Sequence, residues 1–199
     1  VTVRILPKPP GARALMIGFA TIEGAGHCVA EVIATGIIPG GMEMMDHLAI
    51  EAAEAFVHAG YPLDAAALLI IELDGCAAEI DHLIAAVEAI ASRHGATSSR
   101  ASQSEAERLL FWAGRKAAFP AVGRLSPDYY CVDGTIPRRQ IGTVLQRMEE
   151  MEAKYKLRVA NVFHAGGGNL HPLILYDANR PGELQRAEDF GNDILRFCV

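Results

Sequence analysis

Apolar residues recur along this chain with two periods, and the change between them marks out the elements. Ala14-Leu-Met-Ile-Gly-Phe-Ala20 is a short apolar run that predicts a strand. Ala67-Leu-Leu-Ile-Ile-Glu-Leu73 is apolar on both faces and predicts a central one. Between them Ile22, Ala25, Val29, Val32 and Ile33 follow helical spacing that closes at Gly36. Residues 37–46 predict a turn and then a strand. A helix with Ile50, Ala53, Phe56 and Val57 on one face follows and ends near Gly60-Tyr-Pro62. Beyond the turn at Asp74-Gly75, Ile80, Leu83, Ile84, Val87, Ile90 and Ala91 form an apolar helical stripe that stops at Gly95. Residues 96–100 predict another short strand, and a helix runs from Ser104 toward Phe119-Pro120, where proline breaks the pattern. Residues 129–135 are β-rich. A long amphipathic helix then turns Ile141, Val144, Leu145, Met148, Met151 and Tyr155 inward. Residues 161–175 predict a β-hairpin around three glycines, and the last helix begins near Pro181.

Alternation of strand and helix would favour a parallel α/β sheet. No G-x-G-x-x-G follows any strand, however, and no G-x-x-x-x-G-K-[ST] occurs. With the late hairpin, the pattern points instead to an α+β domain, its helices packed on one face of a mostly antiparallel sheet.

Composition narrows the function classes. The 199 residues are 51% hydrophobic and 21% charged, with a formal net charge of −6 and no long basic run. This argues against nucleic acid as a partner. Cys28, Cys76, Cys131 and Cys198 are far apart and lack a C-x-x-C pair, so they read as free, mostly buried thiols in a reducing compartment. No apolar run reaches the roughly 18 residues of a membrane span. With no signal-like start, the expectation is a cytoplasmic protein. Residues 6–12 are proline-rich and cannot be helix. They read as an extended linker, and the last segment stops inside an apolar helical pattern. The expectation is a piece of a longer polypeptide.

The chemistry concentrates in Asn161-Val-Phe-His164-Ala-Gly-Gly-Gly-Asn169-Leu-His171-Pro-Leu-Ile-Leu175. Strand alternation puts His164 on a face with Val162 and Ala160, and His171 on a face with Leu173 and Leu175. Hairpin pairing brings such positions to roughly 5 Å, and Gly166, Gly167 and Gly168 permit φ > 0 and close approach of another molecule. Two imidazoles so placed suit a divalent metal or a substrate carboxylate; the alternative is two core histidines bonded to backbone carbonyls. A zinc-like site needs a third ligand, and no carboxylate stands at helical spacing from His171, so the site looks incomplete. On the helix after Ser104, Phe111, Arg115 and Phe119 share a face. An arginine among aromatic rings can grip a carboxylate with two hydrogen bonds, or lay its stem over the rings at the edge of the core. Glu43 and Asp46 fall on opposite faces of a strand, which argues against a paired-carboxylate device. Glu72, if buried, must be paired or protonated.

His164-Ala-Gly-Gly-Gly-Asn-Leu-His171-Pro resembles the H-A-G-D-G-N-x-H-P signature of the FAD-linked 2-hydroxy-acid oxidases, the glycolate oxidase flavoprotein subunit and D-lactate dehydrogenase type. Leu6-Pro-Lys-Pro-Pro10, Ala67-Leu-Leu-Ile-Ile-Glu-Leu-Asp-Gly75, Trp112-Ala-Gly-Arg-Lys-Ala-Ala-Phe-Pro120 and Ser126-Pro-Asp-Tyr-Tyr-Cys-Val-Asp-Gly-Thr-Ile-Pro-Arg138 resemble it too, in order along nearly the whole chain. The resemblance implies a ferredoxin-like α+β cap at 13–199, truncated at its C-terminus. Residues 1–12 would link it to an absent N-terminal domain that carries most of the FAD contacts.

An E-H-G segment that would follow position 199 is implied to supply an acidic metal ligand and a base. His164 and His171 would be ligands of a divalent metal (Zn, Mn or Fe), Asn169 the asparagine that approaches the flavin, and Arg115 the arginine that binds the substrate carboxylate. Gly167 departs from the signature aspartate and removes a charge beside the loop. The implied reaction oxidises a D-2-hydroxy acid, glycolate or D-lactate in type, with hydride passing to flavin N5. The implied partners are that small substrate and further subunits of an oxidase complex. The fragment alone would be inactive. Two other readings stand beside this one: a stand-alone module that holds a metal or a carboxylate without catalysis, and a structural interaction domain with core histidines.

Overall fold

The structure, a computed structural model, describes residues 2–3 and 7–199. Part of the expected linker, residues 1 and 4–6, lies outside the described residues. Its end is already sheet, because the first strand, β1 (Gly11–Phe19), begins at Gly11.

After β1 come α1 (Ile22–Ala34), β2 (Gly41–Asp46), α2 (His47–Val57), β3 (Ala67–Gly75), α3 (Ala77–Arg93), β4 (Ala96–Ala101) and α4 (Glu105–Val122). The second half adds β5 (Asp128–Cys131), β6 (Gly134–Thr135), a 3-10 turn at Arg138–Gln140, α5 (Ile141–Tyr155), β7 (Val159–His164), β8 (Asn169–Tyr176) and α6 (Glu183–Cys198). One sheet takes the order β4-β1-β3-β2-β7-β8-β5, with β6 also beside β8. Every pairing in it is antiparallel. The α+β class with an antiparallel sheet is therefore the observed architecture.

The helices do not keep to one face, as the sequence reading expected. Leu15, Ile17 and Phe19 of β1 and Leu69, Ile71 and Leu73 of β3 point into a core built with α1, α3, α5 and α6. The alternate residues Ala14, Met16, Leu68 and Ile70 point into a second core closed by α2 and α4. The reason is the alternation itself. A strand apolar at every position offers about 25 cal/mol for each Å² covered on either side, so both faces recruit helices.

Pro120 does not end its helix either. It lies inside α4, which runs on to Val122. In the last turn proline forfeits one amide bond, and Gly123 N still donates to Phe119 O at 3.0 Å. Ser104 caps the start of α4 by accepting from Glu107 N at 3.2 Å. The helix is held to the sheet side by Tyr61, whose hydroxyl donates to Phe111 O at 2.5 Å. That ring lies so close to Gly114 that a Cβ there would sit 2.3 Å from the hydroxyl. Arg115, one residue further, is thereby directed at the sheet. Of the four cysteines only Cys28 is buried, which corrects the expectation of mostly buried thiols.

Candidate functional site

Three adjacent strands, β2, β7 and β8, carry the site with α4 and the β5–β6 connection. The hairpin aligns His164 with Asn169 and Val162 with His171, so the two imidazoles are diagonal neighbours on the face that α4 covers. Their ring centroids are 5.0 Å apart and the planes lie at 89°. The turn that joins them depends on Gly168, which adopts φ +72° and whose added Cβ would meet Ile136 O at 2.1 Å. Among the three glycines the positive φ expected from the sequence is confined to Gly168. Gly166 N donates to Met42 O at 3.1 Å and ties the loop to β2.

A carboxylate meets each imidazole at Nδ1. On β2, Glu43 Oε1 accepts from His164 Nδ1 at 2.7 Å. Its other oxygen, Oε2, accepts from Arg115 Nε at 2.9 Å and lies 2.8 Å from Arg115 Nη2 in an ion pair. On the far side, Asp133 accepts from His171 Nδ1. Asp133 is set opposite His171 because Val132 N donates to Pro172 O and Gly134 pairs with Leu170. The result is a row, Arg115–Glu43–His164–His171–Asp133, laid across β2, β7, β8 and the β5–β6 connection. Phe119 closes over His171 with ring centroids 6.1 Å apart.

Sequence reasoning located Arg115, His164 and His171, and the structure brings all three together. It did not find Glu43 or Asp133. Glu43 was set aside because it cannot pair with Asp46. They do lie apart: Asp46 caps α2 through Ala49 N at 2.9 Å and accepts from both Asn161 N and Nδ2 at 2.8 Å. The signal for Glu43 was a lone charge among Met42, Met44 and Met45 on an otherwise buried strand. No carboxylate stands at helical spacing from His171, and the one that meets it, Asp133, comes from 38 residues earlier through sheet pairing. The core-histidine alternative is not what the structure shows, since both Nδ1 atoms face carboxylates and His164 is half exposed.

Glu43 and His164 line a cavity of about 570 Å³, together with Met42, Arg138, Gly166 and Gly167. Arg115 and His171 lie beside this cavity and are not among its lining residues. Asn169 is half-buried at the start of β8, backbone-paired with His164 and Thr135. Gly167 meets nothing within 4 Å except His164 O at 3.7 Å, so packing does not exclude a side chain there. Glu72 is half-buried and paired with Arg108 and with Trp112 Nε1 at 2.7 Å.

The donor set fits a divalent metal. A carboxylate only accepts, so a neutral imidazole that meets it at Nδ1 carries its proton there and leaves Nε2 bare. Potential ligand atoms of Cys131, Asp133 and His171 also lie within 4.8 Å of one another. Partial desolvation of Cys131, with the Asp133 charge adding to it, pushes its thiol up to about 11; a bound metal would lower it.

No described helix is long and apolar enough to cross a membrane. The chain is 59% identical over all 199 residues to the glycolate oxidase subunit GlcD of Escherichia coli strain K12, and covers 40% of it. It is 32% identical over 197 residues to the same-named subunit of Bacillus subtilis strain 168, covering 42% of that protein. To the mitochondrial D-lactate dehydrogenase [cytochrome] of Arabidopsis thaliana it is 26% identical over 202 residues, covering 35%. The chain thus spans about two fifths of the length of these two glycolate oxidase subunits. Among solved structures, p-cresol methylhydroxylase with substrate bound superposes at a TM-score of 0.71 and 16% identity, over 96% of this chain and 44% of that one. Alkyldihydroxyacetonephosphate synthase does so at 0.67 and 12%, over 96% and 40%, and these two likenesses are of fold. The family described as FAD linked oxidases, C-terminal domain, matches residues 8–199, and this chain belongs to it.

Proposed function

We propose that this chain is the substrate-side part of a flavin-dependent oxidoreductase that oxidises a D-2-hydroxy acid, glycolate or D-lactate in type, to the 2-oxo acid. The observation that carries the reading is the row itself. An arginine, two carboxylate-backed imidazoles and a glycine turn meet at one end of the sheet, in a chain 59% identical to a glycolate oxidase subunit. FAD, held mainly by residues outside this chain, supplies the redox chemistry when bound. His164 and His171 would hold a divalent metal, which would supply Lewis acidity there.

The remaining work falls to this chain's own residues. Arg115 orients the substrate by its carboxylate. Two of its donors already face Glu43, so the substrate carboxylate shares the guanidinium with Glu43 or displaces it. The glycines at 166 and 167 keep the cavity wall beside His164 low, which lets a flat ring approach the backbone, and Asn169 stands next to that wall as the flavin contact. The protein works in the cytoplasm, with further subunits of an oxidase complex as partners.

The test uses the full-length protein. Glycolate or D-lactate added without oxygen should bleach the flavin absorbance. A flavoprotein that no 2-hydroxy acid reduces overturns the assignment.

A further inference from the structure

Glu43 and Asp133 do more than neutralise charge. Asp133 is 74% exposed, and among the described residues its side chain makes one hydrogen bond, to His171. An exposed aspartate gains little stability from such a contact, so burial does not explain why sheet pairing holds it there. Glu43 repeats the arrangement on His164 from the opposite side. Each histidine thus has an acceptor on the same ring nitrogen, and the rings touch edge to face.

We propose that Asp133 and Glu43 are positioning residues. They fix the proton of each neutral imidazole on Nδ1 and hold the ring, so that His164 and His171 offer bare Nε2 atoms to one divalent cation. The inference rests on the metal reading of the two histidines. It goes beyond that reading by giving Glu43 and Asp133, the carboxylates of the row, a role and by placing Asp133 outside the ligand set. A metal-bound imidazole whose other nitrogen donates to a carboxylate is a better ligand, and loss of such a partner costs about 10–100-fold in affinity.

The experiment uses the full-length protein with 15N-labelled histidine, and Asp133 as the variable, because Arg115 also depends on Glu43. In the metal-free protein the ring 15N shifts should report the Nδ1–H tautomer for both histidines. Asp133→Ala should mix in the Nε2–H form at His171 alone and leave the unfolding temperature unchanged. Asp133→Asn keeps an accepting oxygen and should restore the tautomer. Titration with Co2+ should show Asp133→Ala weakened about 10–100-fold and Cys131→Ser unaltered, with no thiolate-to-cobalt absorption band. The proposal is overturned if Asp133→Ala leaves the His171 tautomer and the Co2+ affinity as they were. It is equally overturned by a thiolate band that Cys131→Ser removes, which would place the ion on Cys131, Asp133 and His171. A wild-type protein that takes up no Co2+ would sink the metal reading, and the tautomer shifts would still decide the role of Asp133.

Discussion

Replacing Glu43 by alanine is the sharpest perturbation of the row. The Arg115 and Glu43 side chains are 10% and 13% exposed, so their pairing is a buried one. Removing one partner of a buried ion pair strands the other in low dielectric and costs about 3–5 kcal/mol. At this chain length each kcal/mol moves the unfolding temperature by about 2–4 °C, so Glu43→Ala should lower it by about 6–20 °C. Glu43→Gln, which keeps an accepting oxygen for Arg115 and loses the charge, should lie between wild type and alanine. Calorimetry on both, with Arg115→Met and the double variant, isolates the pair. The cycle should return a coupling of about 0.5–3 kcal/mol. A fall below about 2 °C for Glu43→Ala, or additive single and double variants, would refute the claim that this pair is buried and mutually dependent.

Four further expectations follow from the same coordinates. Gly168→Ala should destabilise by more than about 2 kcal/mol, because strain at positive φ adds to a Cβ 2.1 Å from Ile136 O; an unchanged urea midpoint would contradict the turn geometry. Burial pushes the Asp46 carboxyl up to about 7, against N–H donors from Ala49 and Asn161 that pull it down. Between about pH 4 and 7 the native state therefore holds a proton that the unfolded chain has released, so the contribution of Asp46 is complete below that window and lost as pH rises through it. Asp46→Asn should then gain on wild type as pH rises from 4 to 7, and a pH-independent difference would dispose of the shift. Arg115→Met in the full-length flavoprotein should raise KM and lower turnover through a charged contact of roughly 2–4 kcal/mol; unaltered kinetics would remove Arg115 from substrate binding. Tyr61→Phe should cost about 1–2 kcal/mol by leaving Phe111 O without its hydroxyl donor, read as a lower urea midpoint.

What could be read from the sequence follows the range of each interaction. The strand Ala67-Leu-Leu-Ile-Ile-Glu-Leu73 announced two buried faces. The expectation of helices on one face failed because that signal was used to place the strand at the centre and not to count the layers over it. Pro120 was given its mid-helix cost, although in a final turn it breaks little. His164, His171 and Arg115 were legible because their meaning lies in neighbours a few residues away: glycines between the histidines, aromatic rings one helical turn from the arginine.

The carboxylates are different. Glu43 and His164 are 121 positions apart, and Asp133 and His171 are 38 apart. Only the strand order β2-β7-β8-β5 makes them neighbours. A local pattern cannot carry that order, but it can carry a symptom of it. A charge that interrupts a buried strand face needs a partner from elsewhere in the fold. Glu43 among its methionines was such a charge, and its two partners, Arg115 and His164, are the residues that local reasoning had already selected on other grounds. A search that pairs unexplained buried-face acids with unexplained basic groups would have joined three members of the row before any coordinates. Asp133 would have escaped it, because an exposed aspartate needs no partner, and its place opposite His171 is imposed by the pairing of the flanking residues with β8.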